Sequence, residues 1–271
     1  MRGEFLDLDG HRLYYYAAGT RGVGDPVLFL HGYPASSYLW CGVVPRMPEG
    51  YRLIVLDQLG YGRSDHPAGA DLSIAAHGQR ALAVLDTLNV PHACLVGHDL
   101  GAAVALWLAV NAPTRVSRLA LVNAVALDGW PRWRTRVARA LTPVLRHVPA
   151  PLLAGETYAS LLRGFSDREL GRHALDHFLR PFAKVGGREA LLAHLAAQRD
   201  SETRAMVLAS ISVPTAVLHG AHDPFVPASL GRRLQAAIPG ATLEILPDGR
   251  HFLPLDLPDR VAASLATLLT R

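Results

Sequence analysis

The sequence predicts an α/β protein whose sheet is mostly parallel and doubly wound. Six short apolar runs have the composition of strands that are buried on both faces, and Ala- and Leu-rich segments of helical length lie between them. Strands that alternate with helices in this way favour right-handed crossovers between parallel neighbours. The predicted strands are 26–31, 51–57, 93–97, 116–123, 214–219 and 242–246, and the clearest helices are 73–88 and 100–111.

Two segments depart from the alternation. Residues 4–18 contain Asp9-Gly10 between two strand-like runs, which predicts an antiparallel hairpin at the sheet edge. Residues 125–210 contain no convincing strand and are predicted to form several helices. A helical insertion between sheet strands is expected to cap the carboxyl ends of the strands, where open α/β sheets bind ligands. The predicted division is therefore a core at 1–124, a helical cap at 125–210 and the rest of the core at 211–271.

Composition excludes several classes of protein. The chain has 271 residues, half of them hydrophobic, so it is long enough for one large domain with a substantial core and is too apolar to be disordered. The longest apolar run, 102–110, is far shorter than the roughly 20 residues of a membrane span, and no signal peptide is recognisable. We therefore predict no membrane partner. Two cysteines, Cys41 and Cys94, make a disulfide framework unfavourable and favour a reduced, cytoplasmic setting.

The positive charge is concentrated in one part of the chain. The net charge is +4, but residues 125–200 contain 12 basic and 7 acidic side chains, which leaves the remainder near −1. A nucleic-acid surface would need a denser basic stripe with aromatic partners, so no nucleic acid is expected. These arginines fit either a solvated face or attraction of an anionic substrate. The sequence leaves the oligomeric state open.

The chemistry is expected at Asp99. The segment Gly97-His98-Asp99-Leu100-Gly101 follows a predicted strand and precedes a predicted helix. Its G-x-D-x-G spacing matches the nucleophile elbow, a sharp turn that lifts one side chain above the sheet. The alternative is that Asp99 only caps the following helix.

Three further features favour the nucleophile. His31-Gly32-Tyr33-Pro34 closes an earlier strand, Asp223 follows a late strand, and His251 comes after the last strand. Each feature alone has an ordinary explanation, such as a turn or a surface histidine. Together they place nucleophile, acid and histidine in the chain order of a catalytic triad made of Asp99, Asp223 and His251.

With these motifs, and with the segment DQLGYGRSD at 57–65, the sequence resembles the α/β-hydrolase fold superfamily over essentially its whole length. The aspartate at the elbow narrows the resemblance to the branch of epoxide hydrolases and haloalkane dehalogenases, which also carries a helical cap. The resemblance implies an oxyanion hole formed by the backbone N–H groups of Tyr33 and Leu100. It implies no metal and no organic cofactor.

An aspartate nucleophile implies a particular reaction. A carboxylate is ionised at neutral pH, but it is a weak nucleophile toward esters and is better suited to displacement at a saturated carbon. The product would be an alkyl ester on Asp99, hydrolysed by water that His251 activates and Asp223 orients. We therefore expect a hydrolase that acts with water on a small apolar organic substrate.

The leaving group separates two activities. Haloalkane dehalogenases typically have Trp directly after the nucleophile, and many have Asn after the His-Gly of the oxyanion motif. This chain has Leu100 and Tyr33 there, which favours an epoxide hydrolase giving a diol. The segment 36–40 nevertheless looks like the dehalogenase continuation of that motif, so release of halide is the alternative. A second alternative is a ligand-binding or rearrangement protein on the same fold.

Five residues of the predicted cap are candidates for substrate binding. Epoxide hydrolases protonate the ring oxygen with cap tyrosines, and Tyr158 is the single tyrosine in the cap. His173 and His177 are four residues apart and either supply a second donor or form a solvated helix face. Trp130 and Trp133 either line an apolar pocket or hold the cap on the sheet, and an indole N–H could also bind halide.

Overall fold

The computed structural model describes residues 3–20, 22, 24–131, 133–183 and 186–271. An eight-stranded sheet has the order β1-β2-β4-β3-β5-β6-β7-β8 and is parallel from β4 onward. The strands are β1 Glu4–Leu8, β2 His11–Gly19, β3 Val27–Leu30, β4 Arg52–Leu56, β5 Ala93–His98, β6 Val116–Val122, β7 Thr215–Gly220 and β8 Thr242–Leu246. The six predicted parallel strands are thus confirmed to within two residues at each end.

The N-terminal hairpin is confirmed as well. Asp9 and Gly10 both have positive φ, at 52° and 79°, as a two-residue hairpin turn that matches the twist of the strands requires. Strand β1 pairs with β2, and β2 pairs antiparallel with β4. The hairpin therefore extends one edge of the parallel sheet.

Helices cover both faces of the sheet. Alternate residues of the central strands enter two separate cores: Leu28 and Leu30 of β3 pack on one side, and Val27 and Phe29 pack on the other. This arrangement explains why these strands have no polar face. The helices outside the insertion are α1 Ile74–Thr87, α2 Leu100–Asn111, α9 Ala228–Ala237, α10 Leu253–Asp256 and α11 Pro258–Leu269.

A helical insertion, residues 125–210, separates β6 from β7. Its described residues form helices and turns and contain no strand. The helices are α3 Trp133–Ala140, α4 Thr142–Leu145, α5 Ala150–Leu162, α6 Arg168–Leu179, α7 Gly187–Ala197 and α8 Ser201–Arg204. In the described part of the chain, no helix is long and apolar enough to cross a bilayer.

Candidate active site

Asp99 lies at a sharp turn between β5 and α2. Its backbone has φ 51° and ψ −118°, a conformation that costs a non-glycine residue about 1–3 kcal/mol. The turn demands glycine on both sides. A Cβ on Gly97 would lie 2.4 Å from the carbonyl oxygen of Gly101, and one on Gly101 would lie 2.2 Å from that of Leu30. The G-x-D-x-G spacing therefore reflects the close approach of strand and helix.

The carboxylate of Asp99 is held by backbone N–H groups. The N–H of Tyr33 donates to Asp99 Oδ2 over 3.0 Å, and the N–H of Leu100 also stabilises the charged form. The loop after β3 approaches so closely that a Cβ on Gly32 would lie 2.4 Å from the Asp99 Cβ. Burial raises the pKa of Asp99, although these N–H groups and the nearby His251 favour the carboxylate.

Asp223 is fixed by four hydrogen bonds. Its Oδ1 accepts the N–H groups of Phe225 and Val226, at 2.7 and 3.0 Å. Its Oδ2 accepts from His251 Nδ1 at 2.8 Å and from Asn123 Nδ2 at 2.6 Å. Burial alone would raise the pKa of Asp223, but the charge of His251 and these donors together lower it to about 2. This side chain is ionised at neutral pH, and each of its two oxygens accepts two hydrogen bonds.

His251 is buried between the two aspartates. Burial alone would lower its pKa, but Asp223 and, more weakly, Asp99 raise it above the usual range. The bond from Nδ1 to Asp223 assigns the proton to Nδ1 and leaves Nε2 as the basic nitrogen. The neighbouring His98 donates from Nε2 to the carbonyl oxygen of His251 over 2.9 Å, so His98 holds the backbone of the histidine loop.

Asn123, at the end of β6, is a further residue of the site that the sequence motifs did not include. It has φ 44°, in a region that Asn tolerates better than most residues, and its Nδ2 donates to Asp223 Oδ2 and to the carbonyl oxygen of Arg250. Asn123 therefore ties the acid to the loop that carries His251. Its position at the end of a predicted strand was the available signal in the sequence.

Two tyrosine side chains near Asp99 were also missed. Burial, and then the negative charge of Asp99, raise the pKa of Tyr33; burial, Tyr33 and Asp99 raise the pKa of Tyr61. Both phenols are therefore protonated at neutral pH. The Tyr61 ring packs on His194 of helix α7 at 3.9 Å between centroids, and the Tyr33 ring lies 6.3 Å from the same imidazole. Both tyrosines belong to loops that leave neighbouring strands at the carboxyl edge.

The two predicted tryptophans lie at the cavity that contains Asp99. This cavity has a volume of about 320 Å³, and both Trp130 and Trp133 line it. The indole Nε1 of Trp130 donates a hydrogen bond to Thr203 Oγ1 over 2.8 Å. This N–H group therefore already has an acceptor within the protein. Trp133 lies at the outer side and is 66% exposed.

Tyr158, His173 and His177 are not among the residues of that cavity, and neither are Tyr33 and Tyr61. Burial, and then the charge of Asp176 on α6, raise the pKa of the half-buried Tyr158. His173 and His177 are exposed, and the His177 ring stacks on Tyr38 at 4.1 Å. His177 lines a different groove, of about 910 Å³, between β2 and the insertion.

The described residues contain no group of three or more His, Cys, Asp or Glu side chains placed to hold a metal ion.

Comparison with known proteins agrees with this architecture. The α/β hydrolase fold family model matches residues 25–258. Haloalkane dehalogenase 2 of Mycobacterium bovis is 28% identical over 97% of this chain and 93% of its own. An α/β hydrolase fold protein from Burkholderia ambifaria superposes with a TM-score of 0.89 at 24% identity, covering 97% of both chains. A hydrolase from Pseudomonas aeruginosa gives 0.81 at 28% identity, covering 99% of this chain and 98% of its own.

The chain belongs to the α/β-hydrolase fold family. The family model spans most of its length. The predicted fold is thereby confirmed.

Proposed function

We propose that this chain hydrolyses its substrate through an alkyl ester on Asp99, and that the reacting group is an epoxide. One observation carries the proposal: the carboxylate of Asp99 occupies the position between the Tyr33 and Leu100 N–H groups, with Oδ2 bonded to Tyr33 at 3.0 Å. One carboxylate oxygen is thus held, and Oδ1 is the oxygen left to attack carbon. The same N–H groups later stabilise the oxyanion at Oδ2.

In the first step, Asp99 Oδ1 attacks a ring carbon. The carbon–oxygen bond of the epoxide breaks, the ester forms, and the ring oxygen takes a proton from a phenol. Ester formation removes the charge of Asp99. Because that charge helps to raise the pKa of His251, its loss makes the imidazole easier to deprotonate just when a base is required.

In the second step, His251 Nε2 takes a proton from water, and the hydroxide attacks Cγ of Asp99. The bond between Cγ and the ester oxygen breaks, and that oxygen leaves as the second hydroxyl of the diol after taking the proton from His251. The acid left on Asp99 loses its proton, and the phenolate regains one. The water oxygen therefore enters Asp99 first, and Asp223 stabilises the imidazolium throughout.

Tyr33 and Tyr61 are the proposed proton donors of the first step. Both phenols are protonated at neutral pH, both respond to the charge of Asp99, and both come from loops at the rim of the sheet. Tyr158 is also protonated at neutral pH, but burial and then Asp176 raise its pKa, and it lies on α5 of the insertion and not at the rim. The acid of this enzyme is thus assigned to the core instead of the predicted cap position.

Release of halide from an alkyl halide is the second candidate, and the mycobacterial relative favours it. The chemistry of the site is less suited to it. The residue after the nucleophile is the apolar Leu100, and the indole N–H of Trp130 is bonded to Thr203. No particular contact favours the non-hydrolytic alternative.

Intact mass of a His251→Gln variant tests the proposal. Without the base, the second step should stall and the ester should accumulate. Separate exposures to styrene oxide, a long-chain terminal epoxide and bromohexane are compared, with an Asp99→Asn/His251→Gln double variant as the control. The expected result is an added mass equal to the whole epoxide, mapped by fragmentation to Asp99 and missing from the double variant.

Two other outcomes of the intact-mass experiment would change the proposal. An added mass equal to the alkyl group without its halogen would replace the epoxide with an alkyl halide and keep the ester mechanism. No adduct with any probe, or an adduct that persists in the double variant, would overturn Asp99 as the nucleophile for these classes.

A further inference from the structure

The helical insertion exposes an apolar face. Trp133, Val137, Leu141 and Val144 follow one another at helical spacing along α3 and the start of α4, and they are 66%, 48%, 46% and 60% exposed. Backbone hydrogen bonds from Leu141 to Val137 and from Leu145 to Leu141 keep this stretch helical across the junction. We call these four residues the insertion face. A stripe of this length on a water-facing helix is unusual unless something covers it.

The opposite side of the helix is anchored. Arg136 donates from Nε to the carbonyl oxygen of Pro131 over 2.8 Å and pairs with Asp200, and Arg139 donates to the carbonyl oxygen of Gln198. These contacts hold the polar side of α3 against the insertion. The insertion face cannot turn inward unless they are broken, so its exposure follows from how the helix is attached.

The surroundings of the face are basic. Residues 129–155 contain five arginines and no acidic residue, and the whole excess of positive charge lies in the insertion. Arg134 lies with its guanidinium 5.5 Å from the Trp133 ring centroid, and Arg146 is exposed at the far end. An apolar stripe containing Trp and flanked by arginines is the pattern of helices that lie in a membrane interface.

We propose that the insertion face docks on the surface of an anionic lipid bilayer. The positive insertion complements anionic headgroups, and the apolar side chains would lie at the boundary with the acyl chains. A second copy of the chain fits less well, because a symmetric interface would bring two sets of arginines together, and Asp200 is already paired with Arg136 and Arg204. The face also adjoins the Asp99 cavity, since Trp133 belongs to both.

This inference revises one prediction made from the sequence. The absence of a spanning segment led us to predict no membrane partner. A helix that lies on a bilayer needs no spanning run, because only one of its faces enters the lipid.

Vesicle co-sedimentation of the full chain tests the proposal. The probes are vesicles of phosphatidylcholine alone and vesicles that also contain phosphatidylglycerol, each at low and high salt. The variant is Val137→Ser/Val144→Ser, which keeps helix propensity nearly constant. The matched control is Val207→Ser, because Val207 is 64% exposed but lies outside the face. A second pair compares Arg134→Gln/Arg146→Gln with Arg232→Gln on α9.

The expected result is salt-sensitive binding to the anionic vesicles that falls about tenfold in the Val137/Val144 variant. It should also fall in the Arg134/Arg146 variant and stay unchanged in both controls, with thermal unfolding confirming that each variant is folded. Failure of the wild-type chain to bind, or equal losses in the controls, would overturn the proposal. A wild-type dimer in sedimentation velocity that the Val137/Val144 variant converts to monomer would assign the face to a second copy instead.

Discussion

The rim of the sheet and the helical insertion hold their polar side chains differently. At the rim, Asp223 accepts four hydrogen bonds, and Asp99 is bonded by a backbone N–H from the next strand's loop. In the insertion, His173 and His177 are exposed and Tyr158 is half-buried between two helices. The rim thus holds its charged side chains in fixed positions, whereas these insertion side chains are exposed or half-exposed to solvent. We expect substitutions at the rim to affect chemistry far more than substitutions in the insertion.

The largest effect is expected at Asp99. Asp99→Asn removes the nucleophile, so turnover should fall by about 10⁴-fold or more. The same variant should be more stable than the wild type at neutral pH. Folding raises the pKa of Asp99, so the ionised form opposes folding at every pH above the unfolded pKa, and the neutral amide escapes that cost. Asparagine also tolerates the positive φ.

The measurements are single-turnover kinetics and thermal unfolding at neutral and acidic pH. The stability difference should be about 1 kcal/mol at neutral pH and should shrink as Asp99 becomes protonated. Intact mass must first show that the amide has not hydrolysed. An Asn variant less stable than the wild type at neutral pH would mean that the N–H groups around Asp99 outweigh its burial.

The next largest effect is expected at the rim tyrosines, Tyr33 and Tyr61, and not at Tyr158 of the insertion. Tyr33→Phe/Tyr61→Phe should slow ester formation by about 100-fold, because the ring oxygen loses its proton donors. Tyr158→Phe should leave the rate unchanged. Ester formation is followed by mass in a His251→Gln background, so that only the first step is measured.

The substrate offers a further control for the tyrosine comparison. Bromide is a better leaving group than an alkoxide and needs no proton. The rate of any reaction with bromohexane should therefore fall less in the Tyr33→Phe/Tyr61→Phe variant. If Tyr158→Phe strongly slowed ester formation and Tyr33→Phe/Tyr61→Phe did not, the proton donor would be Tyr158 of the insertion.

Much of the rim could be predicted because it depends on strand ends. A buried apolar run predicts a strand, and parallel strands end at a common edge. The residues just beyond His98, Gly220 and Leu246 are therefore expected to lie close together. This reasoning predicted Asp99, Asp223 and His251 as the catalytic residues, and the structure brings them to the same edge. It could have included Tyr61, which follows β4 at the same edge, had side chains been considered as well as motifs.

The insertion could not be predicted to the same depth. A helical pattern shows which residues share a face, but it does not say which neighbouring helix that face meets. Tyr158 shares α5 with apolar residues, and its placement along α6 depends on how the two helices pack. Likewise, the spacing of His173 and His177 was correct for one helix face, but that face contacts Tyr38 and not the cavity of Asp99.

The smallest effect is expected from Asn123, which acts through Asp223. Asn123→Gly removes the amide and keeps the positive φ. Asp223 then loses a donor that lowers its pKa, so its carboxylate attracts the Nδ1 proton of His251 more strongly and raises the pKa of the imidazole. The second step needs neutral His251, so its rate should fall about tenfold on the acidic side and recover as the pH rises.

The pH profile of ester hydrolysis distinguishes this positioning role from simple loosening. In the variant, the acid limb should move to higher pH, whereas a merely structural defect would lower the rate equally at every pH. Asn111→Gly on α2 is the control, because Asn111 is an exposed asparagine that bonds only to the carbonyl oxygen of Trp107 among the contacts described. A limb that moves to lower pH would mean that Asn123 holds Asp223 in place chiefly through geometry, with the His251–Asp223 bond weakened when the amide is lost.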